Sequence, residues 1–243
     1  MSRLLAFLTR ENADDGLLLD FRALSEDGRT LPGSKRGHRA GWGIAYYDAN
    51  GPHYAGRGIG NAFEDFRYVD ACRLVKGNGV RGCLLSHLRK ADDGAPEDIS
   101  NTQPFIRHPY TFAHDARLRT YQPELPADLQ PKGATPSEFF FGVVLRRIEE
   151  AKNVVEGLVR AIGDVRSACE STGMAILMSD GAHLYAFREA GIDETYYYFC
   201  YGRRGQSVLV SQEPRWELEW EEVPSGALLV VGPNLTCDIR QIL

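Results

Sequence analysis

The sequence has no long apolar run, no metal-binding cysteine spacing and no excess of basic residues. No hydrophobic stretch approaches the roughly 18 residues that cross a bilayer, so no membrane span is expected. Lys and Arg number 28 against 33 Asp and Glu, a formal net charge of −5, which argues against nucleic acid as the main partner. The first apolar stretch meets charged residues too early to be a signal peptide.

Cysteine is scarce, and its spacing excludes several kinds of site. The five residues form no Cys-x-x-Cys pair and no His/Cys cluster with metal-ligand spacing, so neither a metal nor a cofactor is expected. An odd count also argues against a disulfide framework and favours reduced thiols in the cytoplasm. The cysteines are Cys72, Cys83, Cys169, Cys200 and Cys237.

The apolar content is ordinary: 43% hydrophobic and 10% aromatic residues can bury a core. Apolar and turn residues predict strands first, two helices in the middle and strands last, an order that favours an α+β fold over a parallel βαβ fold. The helices are expected from 136 to about 151, with a capping box at Thr135 and Glu138, and over about 154–169. The principal predicted strands are 3–8, 42–47, 82–87, 111–114, 175–178, 184–187, 195–201, 207–211, 216–222, 227–231 and 236–242.

The polar candidates are weak when they are taken singly. His87 ends an apolar strand, where a structural histidine is the ordinary interpretation. Arg89 either binds a nearby carboxylate of the chain or clamps a substrate carboxylate with its bidentate fork. A strand-to-turn transition explains His114 and Asp115, and Asn101 opens a turn that enters an extended segment.

The order of the motifs is more informative than any one residue. A small polar residue, Ser2, opens a buried strand, and five further motifs follow in a fixed order. This series resembles the class II glutamine amidotransferases, and in particular their small stand-alone branch within the N-terminal-nucleophile hydrolases. The motifs are HRAGWGIAYY at 38–47, SHLRKA at 86–91, NTQPF at 101–105, TFAHDARL at 111–118 and TPSE at 135–138.

The resemblance implies a four-layer αββα sandwich, and we expect residues 1–243 to form a single domain of this type. In the family, a cysteine exposed by removal of the initiator methionine attacks the glutamine side-chain amide, with its own α-amino group as the base. The family pattern places this nucleophile at Ser2 and the arginine for the glutamine α-carboxylate at Arg89. By the same resemblance, His114, Asn101 and Trp42 belong to the substrate-binding motifs.

Four positions depart from the family pattern. Ser2 replaces the cysteine, and it can act only if Met1 is removed. The family reads His-Asn-Gly where this chain has His114, Asp115 and Ala116, so a carboxylate replaces an oxyanion-hole amide. Loss of one such donor typically costs ~100- to 1000-fold in rate. Pro136 replaces the aspartate that holds the substrate ammonium group in the family.

These departures favour a degenerate family member, a pseudoenzyme that binds a small carboxylate or γ-glutamyl ligand or assists a biosynthetic enzyme. The alternative is an active amide or γ-glutamyl hydrolase or amidotransferase that uses Ser2 as its N-terminal nucleophile, or a different chemistry in which Asp115 acts as acid or base. The sequence leaves both hypotheses open.

Overall fold

A computed structural model describes residues 2–91, 97–118, 120–170, 173–191 and 193–243. These residues form two antiparallel sheets. The sheet that carries the N-terminal strand contains β1 (Ser2–Thr9), β2 (Gly41–Asp48), β3 (Gly51–Gly58), β4 (Gly82–Arg89), β9 (Cys200–Arg204), β10 (Ser207–Ser211) and β11 (Trp220–Glu222). The other contains β5 (Phe105–Arg107), β6 (Tyr110–Asp115), β7 (Met174–Ser179), β8 (Leu184–Glu189), β12 (Ala227–Val231) and β13 (Cys237–Gln241).

The strand order shows how distant parts of the chain meet. The first sheet runs β11-β9-β10-β1-β4-β2-β3, so the N-terminal strand lies between strands from the two halves of the chain. The second runs β13-β12-β8-β7-β6-β5. The edge strands β3 and β5 therefore end the two sheets.

Helices cover both outer faces and complete four layers. The first sheet is covered by α1 (Asp15–Phe21), α2 (Leu24–Asp27) and α3 (Phe66–Gly77), and the second by α4 (Pro136–Ala151) and α5 (Val154–Ala168). The predicted α+β sandwich of αββα type is confirmed. No helix in the described parts of the chain is long and apolar enough to cross a membrane.

The continuous apolar run of β1 follows from its burial on both faces. Leu4 and Leu8 contact the core between the two sheets, whereas Leu5 and Phe7 contact the core beneath the outer helices. A strand that is buried on both sides loses the alternation of polar and apolar residues that marks a half-exposed strand.

Local signals set the ends of the two long helices. Pro136 occupies the first turn of α4, where its fixed φ costs no hydrogen bond, and Asn153 caps α5 by accepting from the Glu156 N–H at 3.0 Å. The predicted capping box is wrong. The Thr135 side chain makes no cap hydrogen bond, and Glu138 instead accepts from the Lys132 and Gly133 N–H groups at 2.8 and 2.7 Å.

Two strand predictions near the C-terminus are also wrong in extent. Residues 194–196 form a turn, and β9 begins only at Cys200, because Tyr196 and Tyr197 pack into the core between the sheets rather than alternating along a strand. The strand expected over 216–222 is reduced to Trp220–Glu222. In the first segment, burial of the Tyr196 and Tyr197 rings outweighs strand propensity, whereas Trp216 and Trp220 are only partly buried.

Candidate functional site

Antiparallel pairing brings the predicted nucleophile and the predicted carboxylate-binding arginine together. Because β1 and β4 run in opposite directions, Ser2 at the start of β1 lies directly opposite Arg89 at the end of β4. Arg89 also lies opposite Gly41 of β2. Ser2 is 5% exposed and Arg89 7% exposed, so both residues lie within the fold. Met1 lies outside the described residues.

Asp115 approaches Ser2 from the other sheet. It is the last residue of β6 and is buried, and its carboxyl group lies beside the Ser2 backbone N–H. Gln212 Nε2 donates to Asp115 Oδ2 at 3.2 Å. Burial raises the pKa of Asp115, while the Arg3 charge, the Gln212 hydrogen bond and the nearby Ser2 N–H act in the opposite direction.

Arg3 is the charged residue that sequence reasoning missed. Its side chain is fully buried and donates from Nε to Glu213 Oε2 at 2.7 Å, from Nη1 to the Ser2 carbonyl at 2.8 Å and from Nη2 to the Arg29 carbonyl at 2.6 Å. Its guanidinium also lies 4.4 Å from the centre of the Tyr196 ring. One cation therefore ties the start of β1 to two loops. We call Ser2, Arg3, Arg89, Asp115 and Gln212 the Ser2 site.

His114 points away from the Ser2 site. Adjacent residues of a strand face opposite sides, and the His114 ring packs edge-on against Phe140 of α4 while Nδ1 lies 3.1 Å from Ser137 Oγ. Its backbone N–H donates to Gln103 Oε1 at 2.5 Å, and burial lowers its pKa to about 3. Its surroundings favour a role in holding α4 against β6.

The remaining predicted residues take positions that sequence alone did not specify. Asn101 Oδ1 accepts from the Ala134 N–H at 2.8 Å and so holds the loop that leads to Pro136. Trp42 is fully buried beneath α3, where its Nε1 donates to Asp65 Oδ2 at 2.9 Å and its ring lies edge-on to Tyr68. Trp42 therefore lies in the packed layer beneath α3 rather than between the sheets. Ala116 follows Asp115 directly and is partly buried.

His87 lies two residues before Arg89 on β4 and is fully buried. Neither of its ring nitrogens has a hydrogen-bond partner among the described residues. Burial lowers the pKa of His87 well below its ordinary value, as it does for His38, whose Nε2 lies 3.0 Å from the Arg29 carbonyl. Both rings are therefore neutral around neutral pH. No group of three or more His, Cys, Asp or Glu residues among those described is arranged to hold a metal ion.

The arrangement has clear chemical consequences. A hydroxyl, a carboxyl and a guanidinium group surround the start of β1, but the carboxyl group lies beside the Ser2 nitrogen. An ionised carboxylate at this position repels a developing oxyanion, whereas a protonated one can donate to it. Gln212 lies outside the five motifs, in the segment SQEP at 211–214, where the resemblance to the family is weaker. An isolated cation in an apolar strand was the one signal for Arg3.

Comparison with known proteins shows which family this chain resembles. The family model of class II glutamine amidotransferases matches residues 1–205. The "Putative glutamine amidotransferase YafJ" of Escherichia coli strain K12 is 23% identical over 205 residues, which cover 80% of this chain and 77% of that protein. An uncharacterized protein of Methanocaldococcus jannaschii is 26% identical over 222 residues, 79% of this chain and 61% of that one.

Solved structures share the fold. A glutamine aminotransferase class-II domain protein from Silicibacter pomeroyi superposes with a TM-score of 0.66 at 21% identity, covering 99% of both chains. The glutamine phosphoribosylpyrophosphate amidotransferase of B. subtilis, solved with ADP and GMP, gives 0.64 at 15% identity and covers 99% of this chain. This chain spans 49% of the length of that enzyme.

Proposed function

This chain belongs to the class II glutamine amidotransferases, and we propose that it is a degenerate member that has lost ordinary glutamine hydrolysis and acts as a binding or partner subunit. The observation that carries the proposal is the position of the buried Asp115 carboxyl group beside the Ser2 nitrogen. It concerns the same nitrogen that an N-terminal-nucleophile mechanism requires as its base.

Both forms of the N-terminus oppose that mechanism. If Met1 is retained, the Ser2 nitrogen is an amide and has no basic lone pair. If Met1 is removed, the nitrogen becomes an α-ammonium group beside a buried carboxylate. An opposite charge at hydrogen-bond distance favours the protonated amine, so the neutral base is depleted. Asp115 therefore impairs the base as well as the oxyanion hole.

What the site retains supports a binding role. Arg89 still lies opposite Ser2, where its family counterpart binds the α-carboxylate of glutamine. We propose a small carboxylate or γ-glutamyl compound as the ligand and a biosynthetic enzyme as the partner protein. We further propose that residues 1–243 form a single domain, since the strands of each sheet come from both halves of the chain. A cytoplasmic location is proposed as well, and the five free cysteines support it.

One observation favours a second candidate, an amide or γ-glutamyl hydrolase that uses Ser2. Burial raises the pKa of Asp115, and a protonated carboxylic acid has nearly the shape of asparagine and can donate one hydrogen bond. In that form, Asp115 would serve the oxyanion hole. Activity of this kind needs both a protonated Asp115 and a neutral Ser2 α-amine, so its rate would pass through a maximum with pH.

The decisive experiment measures ammonia release from glutamine by the natural chain and by three variants whose N-termini are checked by intact mass. The variants are Ser2→Cys, Asp115→Asn and the double variant. We expect no enzymatic release from the natural chain and little from either single variant. Restoring the amide donor should raise the rate of the Ser2→Cys protein by about 100-fold. Ser167→Cys, a thiol exposed on α5, controls for non-specific thiol chemistry.

The outcomes separate the two candidates. Ammonia release by the natural chain at an ordinary enzymatic rate would refute the loss of hydrolysis. Release by the natural chain that has an alkaline limit, with that limit absent in Asp115→Asn, would establish the second candidate. If the natural chain is inactive and the double variant is active, the proposal stands.

A further inference from the structure

A cavity of about 350 Å³ opens at the side of the sandwich, between the edge strands β3 and β5 and the loop that precedes α4. We call it the lateral cavity. Its lining includes Tyr54, Arg57, Phe105, Arg107, Lys132 and Glu138. No member of the Ser2 site lines it. Its volume lies within the range of pockets that bind small molecules.

The cations of the lateral cavity come from three separate segments. Arg57 lies on β3, Arg107 ends β5 and Lys132 belongs to the loop before α4. In the described parts of the chain, none of these three side chains forms an ion pair with a carboxylate. The Arg107 guanidinium donates to the backbone carbonyls of Asp128 and Gln130, which orient it without neutralising its charge.

The carboxylates nearby offset only part of this charge. Glu138, whose two oxygens accept from the Lys132 and Gly133 backbone N–H groups, is a single buried carboxylate against three cations. Hydrogen bonds donated by Ser100 lower the pKa of Asp98, and the Asp98 side chain is fully exposed. Water therefore screens the effect of its charge on Arg57. The cavity thus has an excess of positive charge.

The same cavity offers an apolar surface beside its cations. The Arg57 guanidinium lies 4.4 Å from the centre of the Tyr54 ring, which restricts the orientation of its planar fork. Phe105 adds a second aromatic wall. A ligand with a doubly charged head and a small organic body would match this combination, because a phosphate monoester carries close to two charges and accepts from several donors at once.

We propose that the lateral cavity binds a small organic phosphate, with the phosphate group held among Arg57, Arg107 and Lys132 and the organic part against Tyr54 and Phe105. This proposal is independent of the function proposed for the Ser2 site, because the two share no residue.

The test is isothermal titration of the full chain with glucose 6-phosphate, inorganic phosphate and pyrophosphate, and with citrate as a carboxylate probe. Removing one charged donor should weaken binding of the phosphate probes by about tenfold or more, since such a hydrogen bond is worth about 1.5–3 kcal/mol. The variants are Arg57→Gln and Lys132→Gln, which remove a charge from partly or fully exposed side chains and so preserve the fold. Arg73→Gln, exposed on α3, is the matched control.

Binding of a phosphate probe that is weakened by both variants and unchanged by Arg73→Gln would support the proposal. It would be overturned if no phosphate probe bound at millimolar concentration, if citrate alone bound, or if Arg57→Gln and Lys132→Gln bound like the control. The ammonia assay of the Ser2 site is unaffected by any of these results.

Discussion

The Ser2 site and the lateral cavity are two polar regions built in opposite ways. In the Ser2 site, Arg3 is paired with Glu213, and Asp115 accepts from Gln212 and lies beside the Ser2 nitrogen, so these charges are met by the chain itself. In the lateral cavity, carbonyls orient Arg107 and a ring orients Arg57, and neither is paired with a carboxylate among the described residues. In the first region the charged groups are paired within the chain, whereas in the second the cations remain available to a ligand.

This difference separates two kinds of evidence for function. Motifs in the sequence locate the place where relatives carry out their chemistry, but they do not show whether the groups there remain free to act. The contacts of Asp115 and Arg3 supply that information for the Ser2 site. Uncompensated charge in a cavity is evidence of a different kind, and it requires no motif.

Among the variants that test this comparison, Arg3→Ala is expected to change the free energy of unfolding most. Removal of Arg3 takes the charged donor from Glu213, which keeps the Arg29 backbone N–H, and leaves two backbone carbonyls without this donor, so we expect the free energy of unfolding to fall by about 3 kcal/mol. Urea denaturation measures the change. Arg240→Ala, which removes an exposed partner of Asp238, should alter stability by about 0.5 kcal/mol or less. Equal losses in the two variants would show that Arg3 does not anchor the Ser2 site.

The pH dependence of stability tests the buried histidine next to Arg89. The pKa of His87 is low in the folded chain and about 6.5 in the unfolded chain, so only the unfolded state gains a proton as the pH drops below about 6.5. Stability present at higher pH is therefore lost on acidification, by at most about 1.4 kcal/mol per pH unit for each such histidine. Denaturation curves between about pH 7.5 and pH 5 should show a shallower loss in His87→Leu than in the natural chain.

The difference between those two proteins isolates His87, because His38, His114 and Asp115 are common to both. A pH profile that is identical in the natural chain and in His87→Leu would mean that the ring is solvated or paired in solution. The Ser2 site would then be more open than its contacts indicate.

The smallest effect is expected from Asp115→Asn on stability. The pKa of Asp115 is raised on folding, so its contribution is fully present below the unfolded value near 4 and is lost as the pH rises through the folded value. Asparagine carries no such cost and can still accept from Gln212. We expect the variant to be more stable by about 1 kcal/mol at about pH 8, with the gain shrinking towards about pH 4. A variant that is less stable at every pH would show that the carboxylate charge stabilises the site.

Much of the fold could be predicted from sequence because its signals are local. The run of apolar residues in β1, the proline at the start of α4 and the periodicity of α5 each lie within a few residues. The failures were also local in origin. The alternating aromatics at 196–201 resemble a strand, yet Tyr196 and Tyr197 lie at a turn and pack into the core. Thr135 and Glu138 resemble a capping box, yet the Glu138 side chain accepts from a backbone N–H group of the loop before α4.

The sequence predicted where the candidate site lies but not which way its side chains face or what they contact. Motif order placed Ser2, Arg89 and Asp115 in one region, and strand register brings the first two opposite each other. The same motifs grouped Trp42 and His114 with them, although these side chains face the outer helices. Neighbouring residues of a strand point to opposite sides, so membership of a motif does not assign a residue to one pocket.

By itself, the sequence determined the order of strands and helices and the family, since each is written in residue identity and local pattern. The tertiary structure alone decided that Asp115 meets the Ser2 nitrogen, that Arg3 is buried, and that β3 and β5 leave a cationic cavity between them. These contacts join residues far apart in the chain. They depend on strand register and on the stacking of two sheets, which no local pattern encodes.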